Sequence, residues 1–70
     1  MAKYYAYIPR EDGTEPCGTG NRCLFESKGD RYANRMAFNR LSTHKFVLIR
    51  YTNFYDESTF NVIKGKHLTD

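Results

Sequence analysis

Seventy residues with a net charge of +3 form one small domain at most, because a chain of this length buries only about 60% of the surface that it exposes when unfolded. Hydrophobic residues make up 40% of the chain and charged residues 27%, which excludes whole-chain disorder and collagen-like or low-complexity sequence. Apolar runs such as residues 46–49 are far shorter than the ~20 residues that span a bilayer, and no long apolar block follows the amino terminus. We therefore expect a cytoplasmic protein with no membrane span and no secretory signal.

Two extended segments open the chain. Residues 4–9 alternate with the period of a strand, which places Tyr5 and Tyr7 on one face. Glycines and prolines crowd residues 10–21 and predict a turn followed by an irregular loop. Residues 22–25 predict a short second strand that pairs with the first across this loop.

The most regular pattern is helical and runs from Lys28 to about Leu41. Ser27 and Asp30 have the spacing of a capping box, in which a hydroxyl and a carboxylate satisfy the free amides at a helix start. At 100° per residue the apolar side chains share one face, which predicts the side that packs on a sheet. These side chains are Tyr32, Ala33, Met36, Ala37 and Leu41.

A hairpin follows the helix. Residues 45–55 are rich in β-branched and aromatic side chains, and a polar turn at residues 56–58 leads into a second strand over residues 59–64. The order is strand, strand, helix, strand, strand. We predict one α+β domain over residues 1–65, a small antiparallel sheet of three to four strands with one helix packed on one face. We expect residues 66–70 to form a flexible tail.

The cysteines and histidines predict neither a metal site nor a cofactor. Cys17 and Cys23 offer one potential bridge, which is no disulfide framework, so we expect free thiols. A zinc site would also need His44 and His67, whose spacing lacks the close ligand pairs of zinc fingers. A one-helix domain rarely encloses the several hundred Å³ of a binding pocket. We therefore predict that the protein is not an enzyme.

Two surfaces are candidates for binding a partner. The outer helix face carries basic and amide side chains around one large apolar residue, a composition typical of binding hot spots. Its members are Arg31, Asn34, Arg35 and Phe38. One helix covers only one sheet face, so if Val47, Ile49 and Tyr51 face the helix, the other face exposes an apolar patch. Its members are Phe46, Leu48 and Phe54.

Ordinary packing offers an alternative explanation for both surfaces. Phe38 can fold over a neighbouring loop, such as residues 10–21, and the loop or the tail can fold under the sheet. If the patch is uncovered, it serves a partner protein or a homodimer. The sequence leaves these alternatives open.

Three segments carry a resemblance to a known group of proteins. They are Leu24-Phe25-Glu26-Ser27, Asp30-Arg31-Tyr32-Ala33 and the strand from Phe46 to Tyr55. Together, within residues 22–64 of the 70, they resemble very small proteins of tailed bacteriophages, in which a short strand, a capped helix and a hairpin make the whole protein. The resemblance implies an accessory factor that binds host machinery, such as transcription, nuclease or defence complexes, and inhibits or redirects it. It defines no site and carries over no functional residues.

We therefore expect a small binding protein whose partner is a larger host protein or complex. The alternative is a nucleic-acid-binding module in which basic side chains neutralise phosphates and exposed aromatic rings stack on bases. The basic residues are Arg31, Arg35, Arg40, Lys45 and Arg50. Interspersed acidic residues, and the lack of paired aromatics in a basic frame, weigh against this alternative.

Overall fold

Four strands and one helix build the fold, as shown by a computed structural model that describes residues 1–65 apart from the side chain of Thr19. The strands are β1 (Ala2–Tyr7), β2 (Cys23–Ser27), β3 (Val47–Tyr51) and β4 (Asn61–Lys64), and the helix is α1 (Asp30–Leu41). Short 3-10 turns at Thr19–Asn21 and Glu57–Thr59 interrupt the predicted order. The predicted α+β class is confirmed, and the predicted tail, residues 66–70, lies outside the described residues.

The strands form one antiparallel sheet in the order β2-β1-β3-β4. The first strand is central, because it pairs with β2 on one side and with β3 on the other, and Tyr5 lies opposite both Leu24 and Ile49. The pairing of the first two strands across the long loop and the hairpin after the helix are both confirmed. Within residues 1–65, no helix is long and apolar enough to cross a membrane.

The two faces of the sheet are reversed, relative to the helix, from our expectation. Phe46 and Leu48 lie under α1, while Val47, Ile49 and Tyr51 point away from it. The helix presents only two fully buried side chains, Ala33 and Ala37. Because alanines fill little volume, large side chains from the sheet must complete this layer. Those side chains are Tyr4, Phe25, Phe46 and Leu48.

The start of the helix also differs from the prediction. Ser27 ends β2 and is buried, and its hydroxyl donates to the carbonyl of Gly29 at 3.4 Å. The N-cap is Gly29, which makes no side-chain cap, so the predicted capping box is wrong. The Asp30 carboxylate instead accepts hydrogen bonds from the Tyr4 hydroxyl at 2.6 Å and from Arg50 at 3.3 Å. Asp30 therefore ties the first turn of α1 to β1 and β3.

The sheet face opposite the helix is closed by loops. Tyr5, Tyr7, Val47, Ile49 and Tyr51 are buried there, and Phe54 and Phe60 from the β3–β4 connection pack against them. Arg22, at the end of the long loop between β1 and β2, lies over the same rings. The loop therefore folds under the sheet, which is the ordinary packing alternative for this face.

Two neighbouring tyrosines predict opposite responses to loss of their hydroxyl groups. The Tyr4 hydroxyl is hydrogen-bonded to Asp30, whereas the buried Tyr5 hydroxyl has no partner within residues 1–65. An unpaired buried polar group costs about 1–3 kcal/mol. We expect Tyr4→Phe to lower the free energy of unfolding by about 1 kcal/mol, and Tyr5→Phe to leave it unchanged or to raise it by up to ~1 kcal/mol. Urea denaturation of both variants measures the difference, and equal losses of stability would contradict this assignment.

Candidate partner-binding surface

The structure divides the residues predicted to bind a partner between two faces and the core. Arg31, Asn34 and Arg35 are exposed together on the outer side of α1, with Phe38 36% exposed beside them. Phe46 and Leu48 are only 3% and 0% exposed beneath the helix, so their predicted role in binding is wrong. The reason is the reversal of the strand faces. Phe54 is half-buried in the aromatic cluster on the opposite side of the sheet.

Phe38 is held by the segment that connects the helix to β3. Its ring stacks on the His44 ring with centroids 4.1 Å apart and planes 17° from parallel. The His44 carbonyl accepts a hydrogen bond from the Lys64 ammonium at 3.2 Å, which links this segment to β4. Phe38 therefore packs on a neighbouring loop, as the ordinary packing alternative has it, but this loop is the segment after the helix and not residues 10–21. One part of its ring faces solvent at a fixed place on the helix.

Charge is segregated between the two sides of the molecule. Arg50 lies on the helix side, because it donates a hydrogen bond to Asp30 there. Lys64 lies on the same side, because its ammonium is 4.0 Å from the centre of the Phe46 ring. Within residues 1–65, seven basic residues and one acidic residue, Asp30, lie on this side. The basic residues are Lys28, Arg31, Arg35, Arg40, Lys45, Arg50 and Lys64.

The opposite side is acidic. Glu15 pairs with Arg22 beneath the sheet, and Glu26 alternates along β2 with the helix-facing Phe25. The other acidic side chains of this side lie in the two loops that cover the sheet. In the described part of the chain, these two loops and the face of β1 and β2 that they cover carry six acidic residues against three basic ones. They are Glu11, Asp12, Glu15, Glu26, Asp56 and Glu57 against Lys3, Arg10 and Arg22.

Arg22 covers the aromatic rings on the acidic side of the sheet. Its guanidinium carbon lies 4.4 Å from the centre of the Tyr5 ring and 5.3 Å from that of Phe54. Two nitrogens of the guanidinium bond the two Glu15 oxygens, at 2.7 and 3.3 Å, and this bonding raises the pKa of Arg22. Burial raises the pKa of Tyr5, so the phenol beneath Arg22 stays neutral at physiological pH. We assign this arrangement a structural role, which the sequence patterns did not reveal.

Tyr32 is the surface residue that the sequence reasoning missed. The helical spacing places it on the core stripe, but it is 61% exposed. Ala33 and Ala37 lie at the centre of the buried stripe, and Tyr32 stands about 100° from Ala33 at its margin. A ring at the margin of a stripe reaches solvent when the stripe is narrow. The short alanine side chains at the centre of the stripe are the sequence feature that could have indicated the exposure of Tyr32.

The cysteines and the acidic residues form no metal centre within residues 1–65. Cys17 is exposed, Cys23 is half-buried, and neither forms a disulfide. No three His, Cys, Asp or Glu side chains among residues 1–65 are grouped so that they could hold a metal ion. His67, one of the residues weighed for a zinc site, lies outside the described part of the chain.

No family model, curated protein or solved structure matches the chain. The resemblance to small phage proteins therefore stays an expectation from the sequence. The basis for a functional proposal is the chemistry of the surface.

Proposed function

We propose that the protein is a non-enzymatic binding module that docks on a larger protein through the helix side. The observation that supports this proposal is the segregation of seven basic residues against one acidic residue onto the side that also exposes Tyr32 and Phe38. Arginine and tyrosine are enriched at the centres of protein interfaces. A surface of one charge also steers a partner of opposite charge and fixes its orientation. The partner's docking surface is therefore acidic.

A protein partner is favoured over nucleic acid by the position of the aromatic rings. Modules that bind single strands stack bases on rings exposed on a sheet. Here both sheet faces are covered, and the rings on β1, β2 and β3 are buried. Only the basic residues of the helix side support the second candidate function, which is contact with nucleic-acid phosphates.

The proposed biological setting is that of a phage accessory factor in the bacterial cytoplasm. There the protein would inhibit or redirect a host complex for defence, nuclease action or transcription. Support comes from the sequence resemblance, and the two free cysteines suit a reducing compartment. The small size is compatible with a protein that acts by occupying a surface.

Affinity capture from a bacterial lysate tests the proposal with two matched variants. Arg31→Gln with Arg35→Gln removes two positive charges from the helix side, and Lys3→Gln with Arg10→Gln removes two from the acidic side. We expect the wild type and the Lys3/Arg10 variant to capture the same protein complex, and the Arg31/Arg35 variant to retain about tenfold less of it, because each interfacial charge is worth about 0.7 kcal/mol or more. Mass spectrometry of the captured proteins measures the difference.

A gel-shift assay of the same three proteins with duplex DNA and with RNA, at two salt concentrations, completes the test. Equal capture by both variants would contradict the assignment of the surface. Binding to nucleic acid that weakens steeply with salt and is lost in the Arg31/Arg35 variant would establish the second candidate function instead.

A further inference from the structure

Tyr32 stands between two depressions in the surface. One, of about 240 Å³, lies between α1 and the edge strand β2. It is lined by Met1, Glu26, Ser27, Lys28, Tyr32 and Met36. The other, of about 410 Å³, lies on the outer side of the helix and is lined by Arg31, Tyr32, Asn34 and Arg35. The Tyr32 ring therefore forms a wall common to both.

The depression beside β2 suits one apolar side chain. Its helix wall consists of Tyr32 and of Met36, which also packs against the core. Methionine adapts to side chains of different shape, and tyrosine gives a large contact area with little loss of conformational freedom. The volume lies below the several hundred Å³ that small-molecule sites enclose. A single leucine-sized or methionine-sized group is therefore its natural occupant.

The depression on the outer side of the helix suits carboxylates. Arg31 and Arg35 are exposed, and neither takes part in the two ion pairs found within residues 1–65. A guanidinium binds a carboxylate through two parallel hydrogen bonds, so it recognises acidic side chains specifically. The two arginines are one helical turn apart, about 6 Å along the axis. Alternate residues of an extended chain have a similar spacing of about 6.6 Å.

We propose that this surface binds an acidic, extended polypeptide segment with one apolar anchor, which enters the depression beside β2 while neighbouring carboxylates pair with Arg31 and Arg35. This inference rests on the proposed function and names the chemistry of the partner's docking segment. Charge complementarity supports it, because the helix side carries seven basic residues against one acidic residue. Glu26 of the acidic side also lines the depression beside β2, so the apolar anchor lies beside Glu26 and the carboxylates of the segment lie at Arg31 and Arg35. A ligand that offers only phosphates, such as a nucleic-acid backbone, has no group to fill the apolar depression.

Fluorescence anisotropy with a labelled peptide, Gly-Asp-Leu-Glu-Asp-Glu-Gly, tests the inference directly. A second peptide replaces the leucine by serine, and a third replaces the acidic residues by their amides. We expect the first peptide to bind at least about fivefold more tightly than either of the others. Tyr32→Ala and Arg35→Gln should each weaken its binding about fivefold or more, and Lys3→Gln should leave the affinity unchanged. Thermal unfolding of each variant establishes that the fold is retained.

Two results would overturn the inference. Equal binding of the leucine and serine peptides would mean that charge alone holds the segment. Failure of the leucine peptide to bind the wild type would mean that the surface does not recognise such a segment. Capture of a protein complex that depends on Arg31 and Arg35 would uphold the proposed function in either case, so the two failures are distinguishable.

Discussion

Leu48→Asp and Ile49→Asp should each abolish folding, although the two side chains lie on opposite faces of the sheet. Both are completely buried, Leu48 beneath the helix and Ile49 beneath the loops. An unpaired buried charge costs several kcal/mol. A chain of this length has only roughly 4–10 kcal/mol of stability in total. Far-UV circular dichroism and thermal unfolding of the purified variants measure the effect.

The control for this pair is Val62→Asp. Val62 lies opposite Ile49 on the edge strand β4 and is 44% exposed, so its aspartate reaches water and the fold should survive. A well-folded Ile49→Asp protein would show that the loops do not close the second face. A well-folded Leu48→Asp protein would show that the helix does not pack there.

Arg22→Ala should lower the free energy of unfolding by about 2–4 kcal/mol, because it removes the partner of Glu15 and uncovers the aromatic cluster. The side chains of this ion pair are only 15% and 22% exposed, so solvent screens the pair little. Arg22→Lys should lose part of the same stability, since an ammonium cannot form the two parallel bonds to Glu15. Urea denaturation, followed by circular dichroism, measures both losses.

Arg10→Ala serves as the matched control in the same loop. Arg10 is exposed and bonds only the nearby Thr14 through its side chain within the described residues, so we expect a loss below about 0.5 kcal/mol. If Arg22→Ala were no more destabilising than Arg10→Ala, Arg22 would be an ordinary surface residue. The second sheet face would then owe its burial to the aromatic rings alone.

The sequence predicted the kinds of element well because each had a distinct local pattern. The alternation over residues 4–9, the helical spacing from Lys28 to about Leu41, and the β-branched residues before a polar turn all correspond to observed elements, whose bounds differ by a few residues. The two faces of β3, in contrast, could not be predicted from a local pattern. Residues 46–49 are all apolar, so either register buries hydrophobic groups and alternation cannot decide between them. The alanines of the helix decide between the two registers, because their small side chains leave space that large side chains from the sheet must fill.

The candidate surface was only half predictable. Arg31, Asn34 and Arg35 follow from helical spacing alone, since they lie opposite the buried stripe. The segregation of charge could not be predicted from the sequence, because the net charge of +3 does not say where the charges lie. It becomes visible only when the structure places the loops and the helix on opposite sides of the sheet. Helical spacing predicts Tyr32 in the core, because a large ring on the apolar stripe usually packs there.

Lysine-directed chemical cross-linking tests most directly the claim that the protein docks through its helix side. Lys28, Lys45 and Lys64 lie on that side, and Lys3 lies on the acidic side. With the complex captured from a bacterial lysate, we predict that the cross-links to the partner arise from Lys28 and Lys45, with Lys3 as free to react as in the isolated protein. Cross-links concentrated at Lys3, with Lys28 and Lys45 unaffected, would contradict the account.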